Sequence, residues 1–267
     1  MQNANVRPLI IAHRGASALA PENTFAAFQK AIDDGADGIE FDVRLAKDGV
    51  PVVFHDSTLN RTAKIEGRVS DFTSEELSKI DVGSWFNRAF PKRGGERFSA
   101  ETVPTFEQLL IFLSDYKNLI YVELKGNNAA IPALAETVCR LIGKANLLPN
   151  IIVKSFNLEG IRVVKETLPE VRTAALFEPK ILTILGRKER MLEAAQNCNA
   201  DEISLHHSLA TKSFVRRATE KTLPVTVWTT DNPVWVKRAL DSGINAIITN
   251  NPAKLLTKRG EVLQNLL

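Results

Sequence analysis

Ionisable side chains stand in or at the ends of several apolar stretches of this 267-residue chain. Glu40 and Asp42 lie two residues apart in "GIEFDV", Glu123 lies in "YVELK", and His13 and His55 close "LIIAH" and "PVVFH". Carboxylates are rarely buried without partners, because taking a charge out of water is costly unless a cation or hydrogen-bond donors compensate. The sequence therefore predicts a compensating group beside these carboxylates.

A bound cation is the compensating group that the residue types favour. Residues two apart on a strand share a face, so Glu40 and Asp42 point the same way, and we expect Glu123 to meet them from another strand. Oxygen ligands without cysteine are typical of a hard cation, Mg²⁺ or Ca²⁺, rather than of zinc. We predict that Glu40, Asp42 and Glu123 hold this divalent cation.

The two strand-end histidines suit proton transfer, since the pKa of an unperturbed imidazole lies nearest to neutrality. Arg14 and Lys125 add positive charge around them, which favours an anion whose charge grows in the transition state. A phosphate group fits that requirement best. We predict that His13 and His55 form a catalytic pair for phosphodiester cleavage, in which one histidine activates the attacking hydroxyl and the other protonates the departing alcohol.

Four further side chains deserve an interpretation. Trp228 ends "VTVW" and is predicted to bind substrate, with a core position as the alternative. His206 and His207 end "EISLHH" and are predicted to be packed or surface residues rather than ligands. Arg61, in the polar stretch that follows His55, is predicted to be solvated.

The elements that must position these residues alternate along nearly the whole chain. Nine short apolar runs are strand candidates, and stretches of helical periodicity lie between most of them. Such repetition favours a parallel sheet covered by helices, and the length fits an α/β fold of the TIM (β/α)8 barrel type. The active site of such a barrel lies at the C-terminal ends of its strands, where the ionisable residues stand.

Nine strand candidates exceed the eight places of the barrel by one. No crossover helix fits before "VPVVFH", and the Asp48-Gly49 pair signals a tight turn, so we predict an antiparallel hairpin. Two registers are open, which place His55 opposite either Glu40 or Asp42. Either register would put His55 on the face of the two carboxylates.

The segment from about 57 to 101 departs from the alternation and is rich in Gly, Arg and polar residues. It contains one short helix candidate, "TSEELSKI", with a capping box of Thr73 and Glu76. We predict one barrel domain over residues 1–267, with this segment inserted after the second strand and the hairpin as a lid or small subdomain.

Composition limits the classes of partner. A net charge of +3, from 34 basic and 31 acidic residues, is too balanced to favour nucleic acid. The chain has no apolar window long enough for a membrane span, and its two cysteines fit a reducing compartment. We therefore predict a cytoplasmic protein that acts on a small molecule, and the oligomeric state stays open.

An ordered set of motifs runs from His13 to Thr249: "HRG", "PENTFAAF", "ADGIEFDVRLAKDGVPVVFHD", "LNRT", "VPTFEQLL", "VELK", "VWTT" and "IIT". With this set the chain resembles the glycerophosphodiester phosphodiesterases. The resemblance implies a phosphatidylinositol-phospholipase-C-like barrel and metal-dependent hydrolysis of glycerophosphodiesters to sn-glycerol 3-phosphate and an alcohol. By motif it implies the same histidine pair and the same three metal ligands, with Arg14 and Lys125 as phosphate contacts.

Two departures from the family pattern are expected to affect alcohol preference and to leave the chemistry alone: Asn60 in "LNRT", where aspartate is common, and the sequence "TTDNP". Two other functions stay open. A lysophospholipase-D-type activity would need an apolar groove, which Trp85, Phe86 and Phe90 could line unless they form the core of the insertion. A barrel that only binds phosphorylated ligands is the third possibility.

Overall fold

The computed structural model describes residues 7–93, 97–180 and 188–265. Within these ranges the strands are β1 (Leu9–His13), β2 (Gly38–Leu45), β3 (Pro51–Val53), β4 (Leu119–Leu124), β5 (Ile151–Ser155), β6 (Arg172–Phe177), β7 (Glu202–His206), β8 (Val225–Trp228) and β9 (Ala246–Thr249). All of them except β3 are parallel to their neighbours and close into a barrel, in the order β1-β2-β4-β5-β6-β7-β8-β9 with β9 against β1. The predicted TIM barrel is confirmed.

Helices follow most of the strands and cover the outside of the barrel. In the described ranges they are Phe25–Asp33, Ser74–Leu77, Ser84–Ala89, Phe106–Phe112, Ile131–Ile142, Leu158–Thr167, Glu189–Asn197, Lys212–Glu220, Val234–Ser242 and Pro252–Gln264, with 3-10 turns at Val69–Asp71, Leu148–Asn150 and His207–Leu209. Side-chain caps begin several of them: Thr105 accepts a hydrogen bond from the backbone of Gln108, and Asn251 accepts one from Lys254.

Side-chain alternation along the strands divides the core into two layers. Ile39, Phe41 and Val43 of β2 point outward and pack in the cluster beneath the helices. Because successive strand residues face opposite sides, Glu40 and Asp42 point into the barrel. Apolar residues fill much of the remaining space, among them Ile11, Ile152 and Ile248, and Tyr121 there contacts the buried Glu202. The side chains of Glu40 and Asp42 therefore lie above a mostly apolar layer of the barrel interior.

β3 forms the predicted antiparallel hairpin with the far end of β2, but in neither predicted register. Val43 lies opposite Val53, and Leu45 lies opposite Pro51, so the turn is centred on Asp48. The turn closes with a backbone hydrogen bond of 2.9 Å from Ala46 to Val50, while Gly49 takes a left-handed conformation at φ 77°. Both predicted registers are wrong by one residue.

This register has a consequence for His55. If β3 continued, His55 would lie opposite Phe41 and would face outward, away from the carboxylates. β3 instead ends at Val53, and His55 lies in the irregular segment that follows, where it lines the same cavity as Glu123. The end of the strand, rather than the pairing, brings His55 to the barrel mouth.

The segment after the hairpin has a small core of its own. Leu59, Val69, Leu77 and Val82 pack with hairpin residues such as Phe54. The predicted helix is present as Ser74–Leu77, and the capping box of Thr73 and Glu76 forms.

The aromatic residues of the insertion belong mainly to a neighbouring cluster. Phe86 is fully buried and packs with Phe98 and Ala27, Trp85 packs against the same cluster, and Phe90 is 39% exposed. This packing favours the core interpretation of this group.

Candidate active site

Three carboxylates meet inside the C-terminal mouth of the barrel. Glu40 and Asp42 come from β2, and Glu123 comes from β4, where it is the register partner of Asp42. One oxygen of each carboxylate lies within 4.8 Å of the others, and the three residues are 0%, 1% and 4% exposed. The structure thus brings together the three residues that the sequence analysis proposed as metal ligands.

Three cations of the protein surround this cluster. Arg14 Nε lies 3.2 Å from Asp42 Oδ2, and Lys125 Nζ lies 3.4 Å from Asp42 Oδ1 and also contacts Glu123. Lys154 Nζ, which is 2% exposed, lies 2.7 Å from Glu40 Oε1.

The charges of the three carboxylates are therefore balanced by the protein itself. Burial of the cluster does not by itself require a metal ion, which corrects the reasoning from sequence that burial demands a bound cation. The sequence analysis assigned no role to Lys154. Its position near the end of β5, in register with Glu123, is the feature that could have indicated one.

The donor set nevertheless fits a hard divalent cation. The buried oxygens Glu40 Oε1, Asp42 Oδ1 and Glu123 Oε1 each face a lysine ammonium group, at 2.7 Å for Glu40 and 3.4 Å for Asp42. Oxygen atoms alone, from three carboxylates at close range, are typical ligands of Mg²⁺ and Ca²⁺. The cluster is a candidate divalent-cation site whose ion the donors do not identify.

Two of these carboxyl groups are held in the ionised state that a cation needs. Burial raises the pKa of Glu40, but contacts led by the charge of Lys154 outweigh it, so the pKa lies below its ordinary value. Burial also raises the pKa of Asp42, but the charge of Arg14, followed by other cations, holds this pKa far below the usual range. Both are carboxylates at neutral pH.

His13 is held at its Nδ1 by an amide. Nδ1 lies 2.7 Å from Oδ1 of Asn250, and since an amide oxygen only accepts, the ring donates from Nδ1. Asp231 fixes the orientation of this amide by accepting from Asn250 Nδ2 at 2.9 Å and from the backbone of Asn250 at 2.7 Å. The neutral ring therefore presents Nε2 without a proton, 4.0 Å from Glu40 Oε2. Burial lowers the pKa of His13, with Glu40 opposing.

Neither Asn250 nor Asp231 belonged to the predicted proton-transfer set. Asp231 lies in "TTDNP", the departure that the sequence analysis placed outside the chemistry, yet it stands two hydrogen bonds from His13. The motif marked Asp231 as unusual, but its link to His13 through Asn250 depends on closure of the barrel between β9 and β1.

His55 is held at its Nδ1 by a carboxylate. Asp56 Oδ1 lies 2.6 Å from Nδ1, and Asp56 Oδ2 accepts from Arg61 Nε at 2.6 Å. The two terminal nitrogens of Arg61 donate to Glu22 at 2.6 and 2.7 Å, and Glu22 also accepts from Arg14 Nη1 at 2.7 Å. A continuous chain of contacts thus joins His55 to Arg14. Arg61 is exposed, as predicted, but the sequence did not reveal that it also pairs with both carboxylates.

The loop after β1 supplies the remaining support. Arg14 and Gly15 both take left-handed conformations, at φ 56° and 80°, and the Arg14 backbone N–H donates to Glu40 Oε2 at 3.1 Å. Asn23, which is 3% exposed, donates from Nδ2 to Asp42 Oδ2 at 3.0 Å. The polar residues of "PENT" therefore hold the carboxylates and Arg14, a role that their spacing alone could not reveal.

A cavity of about 230 Å³ opens beside the carboxylates. Its described lining is His13, Arg14, His55, Glu123, Lys125, Lys154, Phe156, Leu176, Glu178, Trp228 and Thr229. Two imidazoles and three cationic side chains around one small space suit a phosphate diester. Trp85, Phe86 and Phe90 are absent from this described lining, so the apolar groove that a lysolipid would need finds no support there.

Trp228 forms part of the cavity wall, as its predicted substrate role requires. Its ring packs edge-on against Phe156 at 5.5 Å and against His206 at 5.4 Å. His206 and His207 stack on each other at 4.3 Å and are not among the described lining residues. These two histidines pack beside the site, in line with the prediction.

The chain matches the glycerophosphoryl diester phosphodiesterase family over residues 13–254. It belongs to this family. A glycerophosphodiester phosphodiesterase of Caldanaerobacter subterraneus subsp. tengcongensis is 34% identical over 253 residues, which cover 94% of this chain and 97% of that protein. The predicted family membership is confirmed, and the chain is a phosphoric diester hydrolase of this family.

Solved structures of similar proteins show the same fold. An Oleispira antarctica phosphodiesterase, solved in complex with the product sn-glycerol-3-phosphate, superposes with a TM-score of 0.83 at 25% identity and covers 94% of this chain and 96% of its own. The glycerophosphodiester phosphodiesterase of Agrobacterium tumefaciens str. C58 gives a TM-score of 0.77 at 27% identity and covers 94% and 99%. Among the described residues of this family member, no helix has the length and apolar character to cross a membrane.

Proposed function

We propose that the protein hydrolyses glycerophosphodiesters to sn-glycerol 3-phosphate and an alcohol, with His13 and His55 as the proton carriers. One observation carries the proposal: both imidazoles line a single small cavity, and each has its Nδ1 engaged so that Nε2 is available. The family membership and the product bound to the Oleispira antarctica relative support the same substrate class.

The substrate phosphate is proposed to bind between Arg14 and Lys125, which line the cavity just after the ends of β1 and β4. Burial opposes the charge of the Arg14 guanidinium, but Asp42 and Glu22 raise its pKa, so it stays cationic. Carboxylates raise the pKa of Lys125 in the same way against the effect of burial. Trp228 is proposed to offer its ring to the carbon atoms of the substrate.

Glu40, Asp42 and Glu123 are proposed to hold a divalent cation, either Mg²⁺ or Ca²⁺. When bound, such an ion withdraws negative charge from phosphate oxygens as a Lewis acid. Asn23 and Arg14 hold Asp42, and Lys154 holds Glu40. Lys125 contacts Glu123.

Proton transfer is proposed to use the two Nε2 atoms. One ring, as the neutral imidazole, accepts the proton of the attacking hydroxyl at Nε2 as a new P–O bond forms. The other ring, as the imidazolium with both nitrogens protonated, donates its Nε2 proton to the alcohol oxygen as its P–O bond breaks. The attacking group is either the glycerol 2-hydroxyl, which gives a cyclic phosphate that water then opens, or water itself. A cyclic species trapped in a quenched reaction would identify the first route, and labelled water incorporated without it would identify the second.

The first test is release of sn-glycerol 3-phosphate from glycerophosphoethanolamine, with chelator and then with Mg²⁺ or Ca²⁺ restored. We expect turnover to stop with chelation and to return with one of the ions. His13→Gln and His55→Gln should each lower kcat by roughly 10²–10⁴-fold. His207→Gln is the matched control, because this histidine lies outside the cavity and should leave kcat unchanged. Absence of turnover by the unaltered protein with both ions would contradict the proposal.

The organisation of residues 1–267 as one domain and a cytoplasmic location stay predictions. Fractionation of the host cell with an antibody against the protein would test the location directly.

A further inference from the structure

Arg61 lies outside the catalytic cavity, yet it joins two groups that act inside it. Its Nε contacts Asp56, the partner of His55, and its terminal nitrogens contact Glu22, the partner of Arg14. We propose that Arg61 is a positioning residue that supports turnover by locking Asp56 against Nδ1 of His55. The inference rests on the proposed role of His55 as a proton carrier.

Asp56 has one oxygen for each of its two partners. Oδ1 lies 2.6 Å from His55 Nδ1, and Oδ2 lies 2.6 Å from Arg61 Nε. An ionised carboxylate only accepts hydrogen bonds, so this contact keeps the proton on Nδ1 and the lone pair on Nε2. The Asp56 side chain is 24% exposed, and among the described residues Arg61 is the hydrogen-bond partner of Oδ2. Without Arg61, Asp56 can turn toward water and release His55.

The terminal nitrogens of Arg61 make two hydrogen bonds to one carboxylate, unlike a simple surface ion pair. Nη1 and Nη2 each donate to a different oxygen of Glu22, whose side chain is 14% exposed. This paired geometry fixes the plane of the guanidinium, and with it the direction of Nε. An isolated ion pair of an arginine that is 44% exposed would contribute little. Here three contacts of 2.6 to 2.7 Å hold two carboxylates at once.

Lysine cannot reproduce this arrangement. Its ammonium group is a point charge that can approach Glu22 or Asp56 but lacks the planar fork that spans both. Loss of Arg61 also leaves the charge of Glu22 to Arg14 alone. The main effect should fall on the proton-transfer geometry rather than on substrate affinity, because Arg14 keeps its own contact with Glu22 and Arg61 is not among the described residues that line the cavity.

The kinetic test compares Arg61→Gln, Arg61→Lys, Asp56→Asn and the Arg61→Gln/Asp56→Asn double variant on glycerophosphoethanolamine. We expect Arg61→Gln to lower kcat by roughly 10–100-fold, as loss of a supporting hydrogen-bond partner typically does, with little change in KM. Arg61→Lys should recover part of this loss. The double variant should be no slower than Asp56→Asn alone, because both changes act through one histidine.

Arg162→Gln is the matched control. This arginine is 50% exposed, pairs with Glu159 at 3.0 Å and lies on the helix Leu158–Thr167, away from the described cavity lining. The kcat of Arg162→Gln should equal that of the unaltered protein. Thermal unfolding of every variant shows whether a loss of activity follows a loss of folded protein.

The ring nitrogens of His55 give a readout that does not need turnover. In protein labelled with ¹⁵N-histidine, at a pH where the ring is neutral, His55 should show the Nδ1-protonated tautomer, with His55→Gln identifying its signals. Arg61→Gln should shift His55 toward a mixture of tautomers. An unchanged tautomer in Arg61→Gln, whatever happens to kcat, would overturn the inference. If the unaltered protein is inactive but the tautomer responds, the proposed function fails while the positioning role of Arg61 stands.

Discussion

At the scale of single residues, the site depends on cations that are buried with their partners. Lys154 is 2% exposed, and its ammonium lies 2.7 Å from Glu40 Oε1 and 3.5 Å from Glu123 Oε2. Removing one member of a buried ion pair leaves the other charge uncompensated, which typically costs 3–5 kcal/mol. We therefore expect Lys154→Met to lower the free energy of unfolding by about 3–5 kcal/mol in urea titrations of the metal-free protein.

Lys144→Met is the comparison for that measurement. Lys144 is exposed, so its replacement should change the free energy of unfolding by less than about 0.5 kcal/mol. A loss in Lys154→Met as small as that of the control would show that the ammonium of Lys154 does not compensate the carboxylates.

A substitution of Asn250 tests whether its hydrogen bond to Nδ1 keeps His13 in the productive tautomer. Asn250→Ala removes the acceptor of the Nδ1 hydrogen bond, so the neutral ring is free to place its proton on Nε2, which would block proton uptake at the cavity. We expect kcat to fall by roughly 10–100-fold, as for other supporting partners, with KM little changed. Asn146→Ala, at an exposed position, should match the unaltered protein. Equal loss in both variants would remove the assigned role of Asn250.

At the scale of elements, the turn after β1 is the part of the site whose backbone tolerates least change. A Cβ on Gly15 would lie 2.5 Å from the carbonyl carbon of Ala27, and φ of 80° strains any residue with a side chain. We expect Gly15→Ala to destabilise the protein by several kcal/mol and to displace the neighbouring His13 and Arg14.

Gly260→Ala is the opposite case within the same chain. Gly260 lies in the helix Pro252–Gln264, and beyond the backbone of its own helix a Cβ there would meet no atom of the described residues within 4 Å. Because alanine has the higher helix propensity, this variant should gain about 0.5–1 kcal/mol. Melting curves of the two variants should therefore move in opposite directions, and a Gly15→Ala variant as stable as the unaltered protein would contradict the geometry of the turn.

The sequence predicted most elements because each is encoded locally. Apolar periodicity located the strands, and the capping box of Thr73 and Glu76 begins a helix as predicted. The hairpin register could not be derived in the same way, since it depends on the conformation of the turn at Asp48-Gly49, where one residue more or less reverses every face.

At the scale of the whole molecule, closure of the barrel decides what sequence reasoning could and could not find. The carboxylates and histidines could be found from the sequence because each lies in or just after a recognisable apolar strand. Their supporting partners were not, because Asn250 meets His13 across 237 positions of sequence and Arg61 meets Glu22 across 39. Such contacts follow from the closed sheet and the docked loops, which no local pattern of residue types contains.

The interior of the closed barrel also makes the stability of the whole protein depend on pH. Glu202 begins β7, is 6% exposed and accepts hydrogen bonds from the hydroxyl of Tyr121 at 3.1 and 3.2 Å. Burial raises the pKa of Glu202 from 4.5 to about 7. The folded protein therefore retains the proton that the unfolded chain loses above pH 4.5, and this group makes folding progressively less favourable as the pH rises toward 7.

Replacing Glu202 by Gln removes this titration while keeping an oxygen that can accept from Tyr121. We expect the free energy of unfolding of Glu202→Gln, relative to the unaltered protein, to rise by roughly 2–3 kcal/mol between pH 5 and pH 8. The measurement is a set of urea titrations across that range, without added cation, so that binding at the carboxylate cluster does not contribute. Glu193→Gln, at an exposed position of the helix Glu189–Asn197, should show no such slope. A difference that stays constant with pH would mean that Glu202 titrates as an ordinary carboxyl group, and that the barrel interior at β7 is wetter than its burial indicates.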